Sequence, residues 1–175
     1  MCCYIITPDE KPFEGDPRNV LRRNLKRASD KGYTYYVAPE IEYFYFKDEK
    51  STDFLDSSEY FDQITPNPGT DLRRETVLTL EELGIPVESS HHEAAPSQHE
   101  IDLRHTDALT MADTVMTYKL VVKEIASSHG YFASFMPKPS SGINGNGMHT
   151  QMSLSKGCLL YTSPSPTRLL SIADA

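Results

Sequence analysis

The stretch His91-His92-Glu93-Ala94-Ala95-Pro96-Ser97-Gln98-His99-Glu100 constrains the fold more than any other. Its two ends are rich in ionisable groups, and Ala94-Ala95-Pro96-Ser97 between them fits a strand, a turn and a return. That path brings Glu93 and Glu100 to one end of a hairpin. Two further clusters look built to converge on it: Glu40-Ile41-Glu42 upstream and Gly142-Ile143-Asn144-Gly145-Asn146-Gly147-Met148-His149 downstream. Together they offer four carboxylates, one imidazole and a glycine-rich turn. Carboxylates brought to one place repel one another, and divalent cations relieve the repulsion. Hard oxygen donors with a single nitrogen suit Mg²⁺ or Mn²⁺ better than zinc.

Each part is weaker alone. Glu40 and Glu42 stand two apart on an expected strand, so alternation puts both on one face. As an isolated pair they read as a solvent-facing edge, although Ile41, Tyr43 and Phe44 argue for burial, where unpaired charge is costly. His91, His92 and His99 are open to metal ligation, nucleotide contact or a satisfied structural role. Gly142, Gly145 and Gly147 would let backbone approach a ligand closely, yet most such loops are plain turns. Lys138 reads as a surface lysine that could meet phosphate.

The rest of the chain sets the frame. Its 175 residues suffice for one domain of ordinary size, and 38% apolar residues permit a modest core. A formal net charge of −8 argues against sequence-independent binding to nucleic acid or anionic membranes. Cys2, Cys3 and Cys158 form no disulfide framework and no zinc spacing. No run approaches the roughly 18 apolar residues of a membrane span, and no signal peptide is visible. A reducing, cytoplasmic setting is expected.

Local patterns predict a strand over 2–7, then a helix capped by Asp16 with Pro17 first, carrying Val20, Leu21, Leu25 and Ala28 until Gly32. A strand over 33–46 is expected to break near Pro39, and a long excursion follows from Lys47 to Thr70. A second helix, capped by Asp71, uses Val77, Leu78, Leu80 and Leu83 and stops at Gly84. A strand over 85–90 leads into the histidine cluster. The longest helix spans 106–128 with Leu109, Ala112, Val115, Met116, Leu120, Val121 and Ile125. Strands over 131–136 and 148–154 follow. The expected fold class is α+β: a mixed, largely antiparallel sheet with packed helices. No GxGxxG follows a strand and no GxxxxGK[ST] is present, which excludes the common nucleotide-binding motifs. From Gly157 onward the chain loses period and carries two prolines in Ser/Thr context. It looks like translated sequencing adapter, so 1–156 reads as the folded part and 157–175 as a non-native or disordered tail.

Glu40-Ile41-Glu42-Tyr43-Phe44, the stretch from His91 to Glu100, Phe135-Met136-Pro137-Lys138-Pro139 and Asn144-Gly145-Asn146-Gly147-Met148-His149 together resemble type I glutamine synthetase, in order and spacing. Phe13 to Arg18 and Tyr118 to Lys123 resemble it too. The likeness covers about residues 3–156, part of a catalytic domain. It implies that Glu42, Glu93 and Glu100 hold one Mg²⁺ or Mn²⁺ near the substrate glutamate, and that Glu40 and His149 hold a second near the nucleotide phosphates. Asn144 and Gly145 would line the glutamate pocket; Tyr60, His92 and Ser153 would lie on the nucleotide side. The implied reaction joins glutamate and ammonia at the expense of ATP through a γ-glutamyl phosphate, in a homo-oligomer of twelve subunits. Alternatives are a γ-glutamyl-amine or polyamine ligase of the same fold, or a non-catalytic metal- or nucleotide-binding relative. Ser140-Ser141 and Gln151 depart from the family pattern. The family's arginine-bearing half and its N-terminal domain have no counterpart here, so the chain by itself is expected to be inactive or nearly so and marginal in folding.

Overall fold

A computed structural model describes residues 2–62 and 67–162, the last three by backbone alone. They form a mixture of three helices and antiparallel strands: α1 (Pro17–Ser29), β1 (Thr34–Phe46), α2 (Pro68–Glu82), β2 (Val87–His92), β3 (Gln98–Leu103), β4 (Thr106–Asp107), α3 (Ala108–Ser128), β5 (Phe132–Ser134), β6 (Met148–Lys156) and β7 (Leu159–Thr162). The expected α+β class is therefore observed. No helix among the described residues is long and apolar enough to cross a membrane.

The chain divides into two compact units, and β1, α3 and β6 contribute residues to both. One unit draws on residues up to Ala38, on His105–Met116 and on the described residues from Gln151. Here Asp16 caps α1 by accepting from the Arg18 N–H at 3.0 Å, with Pro17 first in the helix, as its sequence predicts. Arg18 grips Asp113 on α3 through Nε at 2.9 Å and Nη2 at 2.8 Å. Val20, expected on the apolar face, is exposed, while Leu21, Leu25 and Ala28 are half-buried. The expected strand over 2–7 is absent; only an isolated bridge joins Ile6 to Pro12. Lacking a partner strand, a short apolar run has no ladder to join. The end of the chain behaves differently from its lack of period. Leu159–Thr162 pairs antiparallel with Ser153–Lys156 around Gly157, whose φ is +60°. Residues 163–175 lie outside the described residues.

The other unit holds Pro39–Arg104 and Thr117–Thr150. Its centre is β1, flanked by β3 in the register Glu40↔Asp102, Glu42↔Glu100 and Phe44↔Gln98, with β2 beyond β3. β1 does not break at Pro39. That residue falls between the pairing of Tyr36 and Val37 with β4 and the pairing of Glu40–Phe44 with β3, where neither ladder uses its missing N–H. The core is Ile41, Tyr43, Tyr45, Ile101 and Leu103, packed under Leu80 of α2 and Tyr118 and Val122 of α3, all buried. The Tyr118 hydroxyl donates to the Ile41 carbonyl at 3.2 Å.

Two helix readings need correction. α2 begins earlier than Asp71: Asn67 is the cap, accepting from the Thr70 N–H at 2.7 Å, with Pro68 first. Its inner face is Gly69, Leu72, Arg73, Thr76 and Leu80, so Leu78 and Leu83 point outward. Gly84 takes φ +78° just past the helix end, as expected. α3 starts after Asp107, whose carboxylate accepts from the N–H groups of Leu109 and Thr110. Met116 and Leu120, expected inside, are exposed.

Candidate metal centre

β2 and β3 form the hairpin that the sequence implied, pairing His91 with Glu100 and His92 with His99. The hairpin closes through a hydrogen bond from Glu93 N–H to the Gln98 carbonyl at 2.7 Å and a positive φ of +58° at Ser97. Strand alternation then splits the motif in two. Gln98, Glu100 and Asp102 share a face with Glu40 and Glu42 of β1, and His91 lies over Glu100. His92 and His99 share the opposite face with Tyr43 and Tyr45.

The first face is acidic. His91 Nε2 lies 3.1 Å from Glu100 Oε2, and its Nδ1 lies 3.7 Å from Glu93 Oε1. His149 Nδ1 stands 3.5 Å from Glu40 Oε2. Donor atoms of Glu40, Glu100 and His149 lie within 4.8 Å of one another, and so do those of His91, Glu93 and Glu100. Glu100 belongs to both groups. Burial, opposed by His91 and reinforced by the neighbouring Glu93, pushes the Glu100 carboxyl up to about 7. Burial also raises Glu42 and Asp102. Hydrogen bonding to Glu100 raises His91 against its own burial. Glu42, Glu100 and Asp102 thus resist being charged together, as carboxylates buried side by side should. Oxygen donors with one or two imidazoles, clustered at this spacing, fit hard divalent cations.

Glu42 lies opposite Glu100 in the register, beside these donors. It belongs to neither donor cluster: its Oε2 accepts from Gln98 Nε2 at 2.7 Å. The glycine-rich loop arrives beside it. Glu42 N–H donates to the Gly147 carbonyl at 3.3 Å, and a Cβ at Gly147 would lie 2.8 Å from Glu42 Oε1 and 3.1 Å from His149 Nε2. A side chain there would push on Glu42 and His149, and at Gly145 close approach to the Pro137 carbonyl requires glycine. Ile143 anchors the loop in an apolar cluster of Phe44, Phe46, Ala95 and Phe54. Asn144 is exposed.

The second face is sealed. Asp56, delivered by the long excursion after β1, accepts from His92 Nε2 at 2.7 Å and lies 3.3 Å from His99 Nε2. Arg73 Nη1 is 2.7 Å from His99 Nδ1. A guanidinium only donates, so His99 Nδ1 accepts and its Nε2 carries the hydrogen toward Asp56. Burial opposes the charge on Asp56, but the hydrogen bonds from His92 and His99 outweigh it and hold the carboxyl well below its ordinary range. Burial depresses His99 to about 4. The first turn of α2 presses so closely here that a Cβ on Gly69 would collide with Asp56 and with the His99 ring.

Resemblance put His92 on the nucleotide side. Its ring is fully buried, with Nδ1 2.7 Å from the Glu93 carbonyl and Nε2 on Asp56, so neither nitrogen is free for a nucleotide. His91 instead faces the acidic cluster. It stacks on Phe61 at 4.3 Å and meets Tyr60 edge-on at 5.5 Å. Tyr60 is exposed. Ser153 belongs to the other unit. The parity of residues 91 and 93 was a usable sign for His91; Asp56, Gln98 and Asp102 carried none that distinguished them.

A family model described as the glutamine synthetase catalytic domain matches residues 14–171. The chain belongs to the glutamine synthetase catalytic-domain family. The match extends into the segment after Gly157 that the sequence reading set aside. Glutamine synthetase of Thermotoga maritima is 50% identical over 159 residues, covering 89% of this chain and 36% of that protein. That of Mycolicibacterium smegmatis is 50% identical over 181 aligned residues, covering all of this chain and 41% of the relative. The cryo-EM structure of Plasmodium falciparum glutamine synthetase superposes with a TM-score of 0.78 at 27% identity, covering 88% of this chain and 37% of that one. A GmaS–ADP complex gives a TM-score of 0.78 at 32% identity, over 85% of this chain and 35% of its own. The chain thus spans little more than a third of the relatives it matches.

Proposed function

We propose that these residues form part of a ligase that makes glutamine from glutamate, ammonia and ATP. The observation that carries the reading is Glu100, whose carboxylate belongs to two donor clusters at once. In this reading Glu93 and Glu100, with Glu42 alongside, hold one Mg²⁺ or Mn²⁺, and Glu40 with His149 holds the second. Bound cations would offset charge on the phosphate groups and help align donor with acceptor. Asn144 and Gly145 bind the substrate glutamate. The γ-phosphoryl group passes from ATP to the glutamate side-chain carboxylate, with ADP leaving, and gives an acyl phosphate; ammonia attacks the acyl carbon, gives up a proton and phosphate departs. The ADP in the related GmaS structure supports a nucleotide for this fold. Tyr60 and Ser153 are proposed on the nucleotide side, while the burial of His92 limits it to a supporting role. Assembly into a ring oligomer and a cytoplasmic setting complete the proposal.

Titration of the folded chain with Mn²⁺, followed by electron paramagnetic resonance, tests it. Two ions should bind, and Glu100→Gln should weaken both. A folded chain that takes up no Mn²⁺ sinks the reading. Glutamine formation is assayed beside it, with no turnover expected from the 175 residues alone.

A further inference from the structure

Gln98 is fully buried, yet the resemblance gives it no role. Its amide ties three segments together. Nε2 reaches Glu42 Oε2 at 2.7 Å, the Gly145 carbonyl at 3.0 Å and Asn146 Oδ1 at 3.3 Å. Oε1 accepts from the Ala95 N–H at 3.2 Å. The orientation of the amide is fixed by its surroundings: oxygen acceptors at one end, a backbone donor at the other. An amide nitrogen carries two hydrogens, and here three oxygens compete for them. Whatever draws on Glu42 or on the Gly145 carbonyl therefore changes what Gln98 can give the other.

We propose that Gln98 is a positioning residue that orients the Glu42 carboxylate and the Gly145 carbonyl against each other, so that cation binding and the glycine-rich loop are set by one shared amide. The proposal rests on the cation-site reading above. Asn146 is the reserve acceptor. Its own Nδ2 donates to the carbonyls of Met136 at 2.9 Å and Ser134 at 3.3 Å, which holds Oδ1 in place. When Glu42 turns to a cation, a hydrogen is released to Gly145 or Asn146, and the loop keeps its anchorage.

The test is Mn²⁺ affinity in the full 175-residue chain and in Gln98→Met, Gln98→Leu and Gln98→Glu, each measured below the onset of its own unfolding. Gln98→Met and Gln98→Leu keep most of the volume and remove both donors; either serves if the other fails to fold. Loss of an outer group that orients a ligand should weaken Mn²⁺ binding about tenfold. Val122→Ala, a cavity in the core away from the site, supplies the comparison: it should lower the melting temperature and leave Mn²⁺ affinity within about twofold. Gln98→Glu separates positioning from simple charge. If the site only sums charge, an added carboxylate tightens Mn²⁺; if the amide must donate, the introduced carboxylate repels Glu42 and affinity falls. Tighter binding by Gln98→Glu, or unchanged affinity in Gln98→Met and Gln98→Leu, overturns the proposal while the cation-site reading stands. Absence of Mn²⁺ binding by the unaltered chain overturns both.

Discussion

The two faces of the β2–β3 hairpin use the same residue types and arrive at opposite electrostatic states. On one, His91, Glu93, Glu100, Glu40 and His149 gather more acid than base, and burial lifts the Glu100 carboxyl toward neutrality. On the other, His92, His99 and Arg73 close around Asp56 and hold its carboxyl ionised. Neighbouring residues, turned outward or inward by strand alternation, become an unfinished site or a finished one. The finished face contributes stability by itself. The acidic face would gain it from a bound cation.

The largest test of that contrast is Asp56→Ala. It leaves the buried rings of His92 and His99 without their acceptor and Arg73 without a counter-charge, which should cost about 3–5 kcal/mol in urea unfolding. A loss below about 1 kcal/mol would mean that the inner network is not closed. Next is cation itself: Mn²⁺ at about a hundred times its dissociation constant should stabilise the chain by about 2.7 kcal/mol. The same addition should do much less for Glu100→Gln, as differential scanning fluorimetry would read.

In metal-free solution the acidic face should oppose folding as it charges. Glu100 has a folded value near 7 against an ordinary 4.5, so its protonated form is the one the fold favours. Its contribution is complete below about 4.5 and disappears as pH rises through 7. Denaturation in chelator across that window should show stability falling with pH, and Glu100→Gln should flatten the slope. A slope of the opposite sign would break the comparison.

The smallest effect belongs to a pair of neither kind. Asp113, on the other unit, is held below its ordinary value by its hydrogen bond from Arg18. Its contribution is present above about 3.8 and lost as pH falls. Asp113→Asn should move the unfolding midpoint less than any change above, because the pair is partly open to solvent.

What the sequence made legible follows from local rules. Asp16-Pro17 announced α1, Gly84 closed α2, and the Glu93–Glu100 spacing implied the hairpin, because caps, C-terminal glycines and tight turns are decided within a few residues. The alternation of 40 and 42 was legible for the same reason. Asp56 was not: it comes from an excursion without periodicity, and only folding brings it to His92 and His99. Asn67 outranked Asp71 as a cap because Pro68 already suited the first helical position. Leu78 and Met116 were misplaced because a helix has several apolar stripes on paper, and the tight fit of Gly69, or the reach of Tyr118 to Ile41, selects one. A single step of strand parity turns His91 to the acidic face and His92 to the buried one.

Gly69 has a consequence for inheritance. The first turn of α2 abuts Asp56 and His99 so closely that even a methyl group has no room. Every missense change at that codon adds at least one carbon to the spot. In a random library scored for folded product, codon 69 should come back nearly empty of substitutions, while the neighbouring exposed position Asp71 tolerates many.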